Sequence, residues 1–131
     1  GGYDITNYKS AVVALKNAQI EFPDIKYAEE MNLLIVKAQF MYAKNSYANR
    51  QEERFEQAIE YYNEFMEAYP DSKYAKEAKQ LKQDSESGIV NAKKQLAENA
   101  AMIAKYKALE ESDKKKKDTT TNKNLDNKTQ K

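Results

Sequence analysis

At 131 residues the chain has room for one domain, and three Gly and two Pro leave few breaks in a helix-forming composition. The net charge of +1 is unevenly placed: residues 112–131 hold seven Lys against three Asp, a balance of +4, which leaves 15 basic and 18 acidic residues in 1–111, a balance of −3. An acidic body argues against a nucleic-acid surface, and a chain without Cys or His lacks the commonest general base, thiol nucleophile and soft metal ligands.

The first apolar stripe is Tyr8, Ala11, Val12, Leu15, Ala18 and Phe22, spaced by three or four, which predicts a helix over 6–22. Pro23 ends it, since proline disfavours helical geometry in the residue before it, and Asp24 is expected to cap the next helix. That second helix, predicted over 26–45, is apolar on two arcs. Ala28, Met31, Leu34, Ile35, Ala38, Met41 and Tyr42 form one; Leu33, Val36 and Phe40 form the other. A helix apolar on most sides is buried between neighbours, so it is expected at the centre, against the helices before and after it.

Residues 45–53, NSYANRQEE, carry no regular apolar spacing and are expected as a loop, with at most a short helical turn. The third helix, over 53–69, has the clearest stripe: Phe55, Ala58, Ile59, Tyr62, Phe65, Met66 and Tyr69. The fourth starts near Ser72, and its spacing runs through Ala78, Leu81, Ser85, Gly88, Ala92 and Leu96 to about Leu109. The stripe keeps phase through Gly88, which favours one continuous helix; the alternative is a break at 84–88, since Gly costs about 1 kcal/mol against Ala in a helix. Small residues at 85, 88 and 92 would let a neighbour approach closely. Residues 112–131 have one aliphatic residue in twenty and are expected to be a disordered basic tail.

One phrase occurs twice. Sliding the chain by 47 residues lays Tyr8 on Phe55, Ala11 on Ala58, Phe22-Pro23-Asp24 on Tyr69-Pro70-Asp71, Tyr27 on Tyr74 and Glu30 on Glu77. A helical pattern with a period of 20–50 residues marks an α-solenoid. The expected fold is therefore all-α: a tetratricopeptide-like stack of antiparallel helices over 1–111, with a long C-terminal helix and the tail. Because it opens inside a repeat unit, the chain is expected to be part of a longer protein.

The second copy, Tyr62, Phe65, Tyr69, Pro70, Ser72, Tyr74, Glu77 and Ala78, resembles the repeat endings of the BamD family of outer-membrane protein assembly lipoproteins. Tyr8–Asp24 resembles the unit before it. The resemblance covers about residues 5–85 and implies the C-terminal repeats of a periplasmic scaffold. It implies docking on a BamA-like barrel protein through its POTRA domains, with attachment to the outer membrane only through an N-terminal lipidated Cys that is not in this sequence. Related envelope repeat proteins share this ending, so another tetratricopeptide-type adaptor of the envelope or cytoplasm is the alternative.

No phosphate-binding GxxxxGK[ST], dinucleotide GxGxxG or nucleophile GxSxG occurs, and the carboxylates Glu56, Glu60, Glu64 and Glu67 form a solvated helix face. No catalytic residue, cofactor or metal site is expected. Most of the ten Tyr fall on stripes and are expected in the core. Tyr61 lies off its stripe and Tyr47 in the loop, so both are partner-contact candidates. The only two Arg, Arg50 and Arg54, flank the same loop. Arg suits bidentate carboxylate pairing, either to Glu52, Glu53 or Glu56 within the chain or to acidic residues of a partner. Lys114–Lys117 is expected to be solvated, with contact to an anionic surface as the alternative.

Overall fold

The computed structural model describes residues 5–129, and their side chains as far as Asp118. Four helices follow one another: α1 (Ile5–Glu21), α2 (Ala28–Lys44), α3 (Ala48–Ala68) and α4 (Ala75–Thr129). Among the described residues there is no strand and no residue with positive φ. The chain divides into two units, Gly1–Gln95 and Leu96–Lys131.

The 47-residue period is visible in the backbone. α1 ends at Glu21 and α3 at Ala68; α2 begins at Ala28 and α4 at Ala75. Between them the hydrogen bonds repeat one for one. In the first turn Phe22 N–H donates to Ala18 O, Ile25 to Phe22, Ala28 to Ile25 and Met31 to Tyr27, at 2.8–3.3 Å. In the second, Tyr69 donates to Phe65, Ser72 to Tyr69, Ala75 to Ser72 and Ala78 to Tyr74, at 2.8–3.1 Å. The residue before each proline leaves the helix, as proline requires, and Tyr69 does so at φ −133°, ψ 66°.

Asp24 does not cap α2. The residue before that helix is Tyr27, which makes no side-chain capping bond, and Asp24 stays exposed in the turn. The turn closes through its own backbone amides, so three more residues pass before the helix begins. In the second copy Ser72 Oγ accepts from Tyr74 N–H at 3.0 Å, which ties the turn from inside.

The expected loop over 45–53 is also corrected: α3 starts at Ala48, leaving only 45–47 outside helix. Ala48 to Arg54 contains no breaker and is rich in helix formers. The last carbonyls of α2 still find donors. Asn45 Nδ2 reaches Met41 O at 2.8 Å, Ser46 Oγ reaches Tyr42 O at 2.6 Å, and Gln51 Nε2 reaches Ala43 and Lys44 O at 3.3 and 3.2 Å.

α2 packs against both α1 and α3, as its two arcs require. Side-chain bonds show antiparallel pairing: Gln19 donates to Asn32 between α1 and α2, and Gln39 Nε2 donates to Arg54 O at 3.0 Å between α2 and α3. The core is Leu33 and Val36 of α2, Phe65 of α3, and Ala78 and Leu81 of α4, with Phe40, Tyr62, Met66 and Tyr69 against it. Phe40 and Phe55 face each other at 5.8 Å between ring centres. A large apolar side chain buried this way contributes about 1.5–3 kcal/mol.

α4 passes through Gly88 without a break. A Cβ at Gly88 would come within 2.8 Å of three atoms of the Phe55 ring, so the missing side chain is what lets Phe55 seat against α4. Ser85 and Ala92 are buried on the same stripe, and Ser85 Oγ donates to Leu81 O at 2.8 Å.

Leu96–Lys131 holds the rest of α4. Residues 97–118 are exposed, including Met102, Ile103, Tyr106 and Leu109, so the stripe continues in sequence while burial stops. The expected tail is traced as helix through Thr129; its described part, 112–118, has no buried side chain. The side chains of 119–131 lie outside the described residues.

Candidate functional site

The four residues singled out in the sequence fall into two groups. Tyr47 sits at the corner between α2 and α3 and is 83% exposed. Its extended backbone, φ −64° and ψ 151°, opens α3, and its carbonyl accepts from Arg50 N–H at 2.9 Å. Arg50 is exposed on the first turn of α3, where Nη1 pairs with Glu53 Oε1 at 3.3 Å. An ion pair so open to water is worth about 0–1 kcal/mol, so Arg50 can exchange it for another carboxylate at little cost. Tyr47 and Arg50 therefore form one accessible corner of aromatic and guanidinium groups.

Arg54 and Tyr61 are committed inside the fold. The Arg54 guanidinium lies 4.2 Å from the centre of the Tyr42 ring, and Nη1 donates to Ser46 Oγ at 2.6 Å. It fastens the α2–α3 turn rather than pairing with Glu52, Glu53 or Glu56. Tyr61 packs against the core, under the Lys16 ammonium at 4.8 Å from the ring centre. Burial raises the Tyr61 pKa above the ordinary value, and the charges of Glu64 and Glu60 add to the rise. Lys16 also pairs with Glu64 at 3.6 Å, which joins α1 to α3.

A second surface was not singled out. Between α1 and α2 lies an open apolar groove of about 500 Å³, walled by Tyr8, Ala11 and Leu15 on one side and Leu34, Ala38 and Met41 on the other. Ala14 and Lys37 also line it. The sequence assigned Leu34 to a buried arc of the central helix; it is 49% exposed. Leu33, Ile35 and Val36 of the two arcs are buried, together with Gln39 and Ala43, which neither arc included. Phe22 and Tyr27, at the end of the same hairpin, are 58% and 56% exposed. Apolar periodicity marks all these residues alike and cannot tell which arc meets a neighbour. The 47-residue offset could have: Leu34 has Leu81 as its counterpart, and the helix covering Leu81 is α2.

Among the described residues no group of three or more Asp and Glu side chains could hold a metal ion, and no helix is long and apolar enough to cross a membrane. What the surface offers is docking chemistry: an apolar groove, and an exposed aromatic–arginine corner. Neither a protein-family model nor a curated protein matches the sequence.

Proposed function

We propose that this chain is a tetratricopeptide-like segment of a non-catalytic docking scaffold, working in outer-membrane protein assembly on a BamA-like barrel partner held through its POTRA domains. The observation that carries the scaffold reading is the recurrence of one helix–turn–helix, with the same four backbone bonds, at a 47-residue offset. Repeats built this way stabilise each other through neighbour contacts and present a rigid outer surface. The assignment to outer-membrane assembly rests on the aromatic-Pro-Asp-Ser ending of the second copy and its resemblance to the BamD family. The periplasmic face of the outer membrane is then its place, with any lipid anchor outside this sequence.

Within this reading Tyr47 and Arg50 meet the partner. Arg50 gives up a weak pair to Glu53 and takes an acidic side chain of the partner, while Tyr47 contributes apolar area with little entropy to lose. Residues 112–131 serve as a solvated basic tail. The described side chains there, 112–118, are all exposed, so no apolar burial adds to the helix.

The test is affinity capture from envelope membranes with the wild-type protein and with Tyr47→Ala/Arg50→Ala. Co-purification of a POTRA-bearing barrel protein, lost in the double variant, is the expected result. Capture that the substitutions leave unchanged would move the contact elsewhere. Failure to recover any barrel protein would remove the assembly assignment and leave a repeat adaptor with another partner.

A further inference from the structure

We infer that the groove between α1 and α2 is the seat of an amphipathic helix of the α2 kind, supplied from outside residues 1–131. The inference stands on the internal repeat and does not depend on the compartment or partner proposed above.

The second copy shows what fills such a groove. One period on from Tyr8, Leu34 and Met41 stand Phe55, Leu81 and Gly88. There α2 lies over them: Phe40 meets the Phe55 ring, and Leu33 and Val36 cluster with Leu81 and Ala78. Under that cover Phe55 and Leu81 are 3% and 9% exposed, and Ala58 is 1% exposed. In the first copy the corresponding Tyr8, Leu34 and Ala11 line an open groove.

The polar contacts carry the same message. Around the second turn α2 supplies Asn32, which donates to Tyr69 Oη at 3.3 Å, and Glu30, which accepts from Tyr74 Oη at 2.8 Å. It also supplies Glu29, which accepts from Ser72. The counterparts of Tyr69 and Tyr74 are Phe22 and Tyr27, both more than half exposed. One missing neighbour accounts for the groove and for both exposed aromatics.

The repeat also states the occupant's chemistry. It needs large apolar residues at the spacing of Leu33, Val36 and Phe40 (i, i+3, i+7), the pattern of a helix laid in a groove. Lys37 of α2 pairs with Glu77 at 3.3 Å; the counterpart of Glu77 is Glu30, which is exposed and accepts from Tyr74 Oη. A second copy of this chain cannot lend its α2, which is packed against both α1 and α3 in every copy.

The probe is a fluorescein-labelled peptide of residues 27–45, titrated into the full 131-residue protein and followed by polarisation. Saturable binding is expected, weakened about tenfold or more by Leu34→Glu and by Ala14→Glu in the protein. Both positions are exposed, so circular dichroism and the melting curve should stay near wild type. Ala14→Glu, on the open side of α1, keeps the test valid should Leu34→Glu disturb the fold. Absence of saturable binding, or binding equal in wild type and both variants, overturns the inference. Sedimentation of the protein alone is the second readout, with a monomer expected. Self-association abolished by Leu34→Glu would give the groove to a second copy and overturn the inference as well.

Discussion

The turn at Pro23 and the turn at Pro70 carry the same hydrogen bonds, yet the side chains around them live in different surroundings. In the second hairpin Phe55, Ala58, Phe65, Ala78 and Leu81 are buried; of their counterparts in the first, Tyr8, Ala11, Ala18, Met31 and Leu34, none is. Both hairpins have the aromatic-Pro-Asp turn and an apolar stripe. The second has a helix laid over it and the first does not. Local backbone geometry is thus written into each copy, whereas burial is a property of the neighbour, as expected where stability is shared between repeats and the interfaces joining them.

That difference should appear first in stability. Phe65 is fully enclosed where α2, α3 and α4 meet, and its first-copy counterpart is only Ala18. We predict that Phe65→Ala costs about 3–5 kcal/mol in chemical denaturation. A cost below about 1 kcal/mol would mean that the second hairpin has no better core than the first. The paired substitution is sharper. Leu81→Ala should cost about 2–5 kcal/mol, while Leu34→Ala, the same change one period earlier, should stay within about 1 kcal/mol because Leu34 already faces water. Equal costs would erase the contrast between covered and open copies.

The same contrast separates what could be read from the sequence from what could not. The stripe of α3, the stops at Pro23 and Pro70, and the passage of α4 through Gly88 all follow from near-neighbour rules: spacing, proline geometry and phase. The start of α3 was missed because 48–54 looked irregular in apolar spacing, although its residues favour helix and the side chains of Asn45, Ser46 and Gln51 cap the helix before it. Asp24 was expected to cap α2 because a carboxylate can accept from the free amides of a helix start; the backbone turn does that work here. The orientation of Leu34 escaped apolar spacing for a different reason. A single sequence shows which residues are apolar, but the cover is a helix, and only alignment of the two copies shows that one lacks it. Of the candidate contacts, exposure separates Tyr47 and Arg50 from Arg54 and Tyr61. That division turned on Tyr42, Ser46 and Lys16 reaching across between helices, contacts that spacing along one helix does not encode.

A smaller effect should come from Gly88, where the second copy has the least room. Replacing Gly by Ala in a helix ordinarily adds about 1 kcal/mol of stability. Here the new methyl would overlap the Phe55 ring, which is itself held against Phe40. Overpacking of this kind costs about 1–3 kcal/mol. We therefore predict a net loss for Gly88→Ala in thermal unfolding. A gain would show that Phe55 can retreat and that the α3–α4 contact is looser than the second hairpin's burial implies.

The smallest effect is electrostatic and appears only in alkali. Tyr74 has its pKa raised chiefly because its hydroxyl donates to the Glu30 carboxylate, with burial and the Glu30 charge adding to the rise and Lys73 opposing it. Tyr61 is raised by burial and by Glu64 and Glu60. An unfolded phenol ionises near pH 10. Below that pH both tyrosines are neutral in both states, and their contribution is fully present. Above it the unfolded chain loses protons that the folded chain keeps, so stability falls as pH climbs toward the raised folded values. The largest cause of the Tyr74 rise is the Glu30 carboxylate that α2 brings to the second turn. Tyr61→Phe/Tyr74→Phe should therefore flatten the decline in melting temperature between about pH 10 and 11 while changing little at pH 7. A decline unchanged in the double variant would place these phenols in the same surroundings folded and unfolded, and the covering helix would then leave no electrostatic mark on the hairpin beneath it.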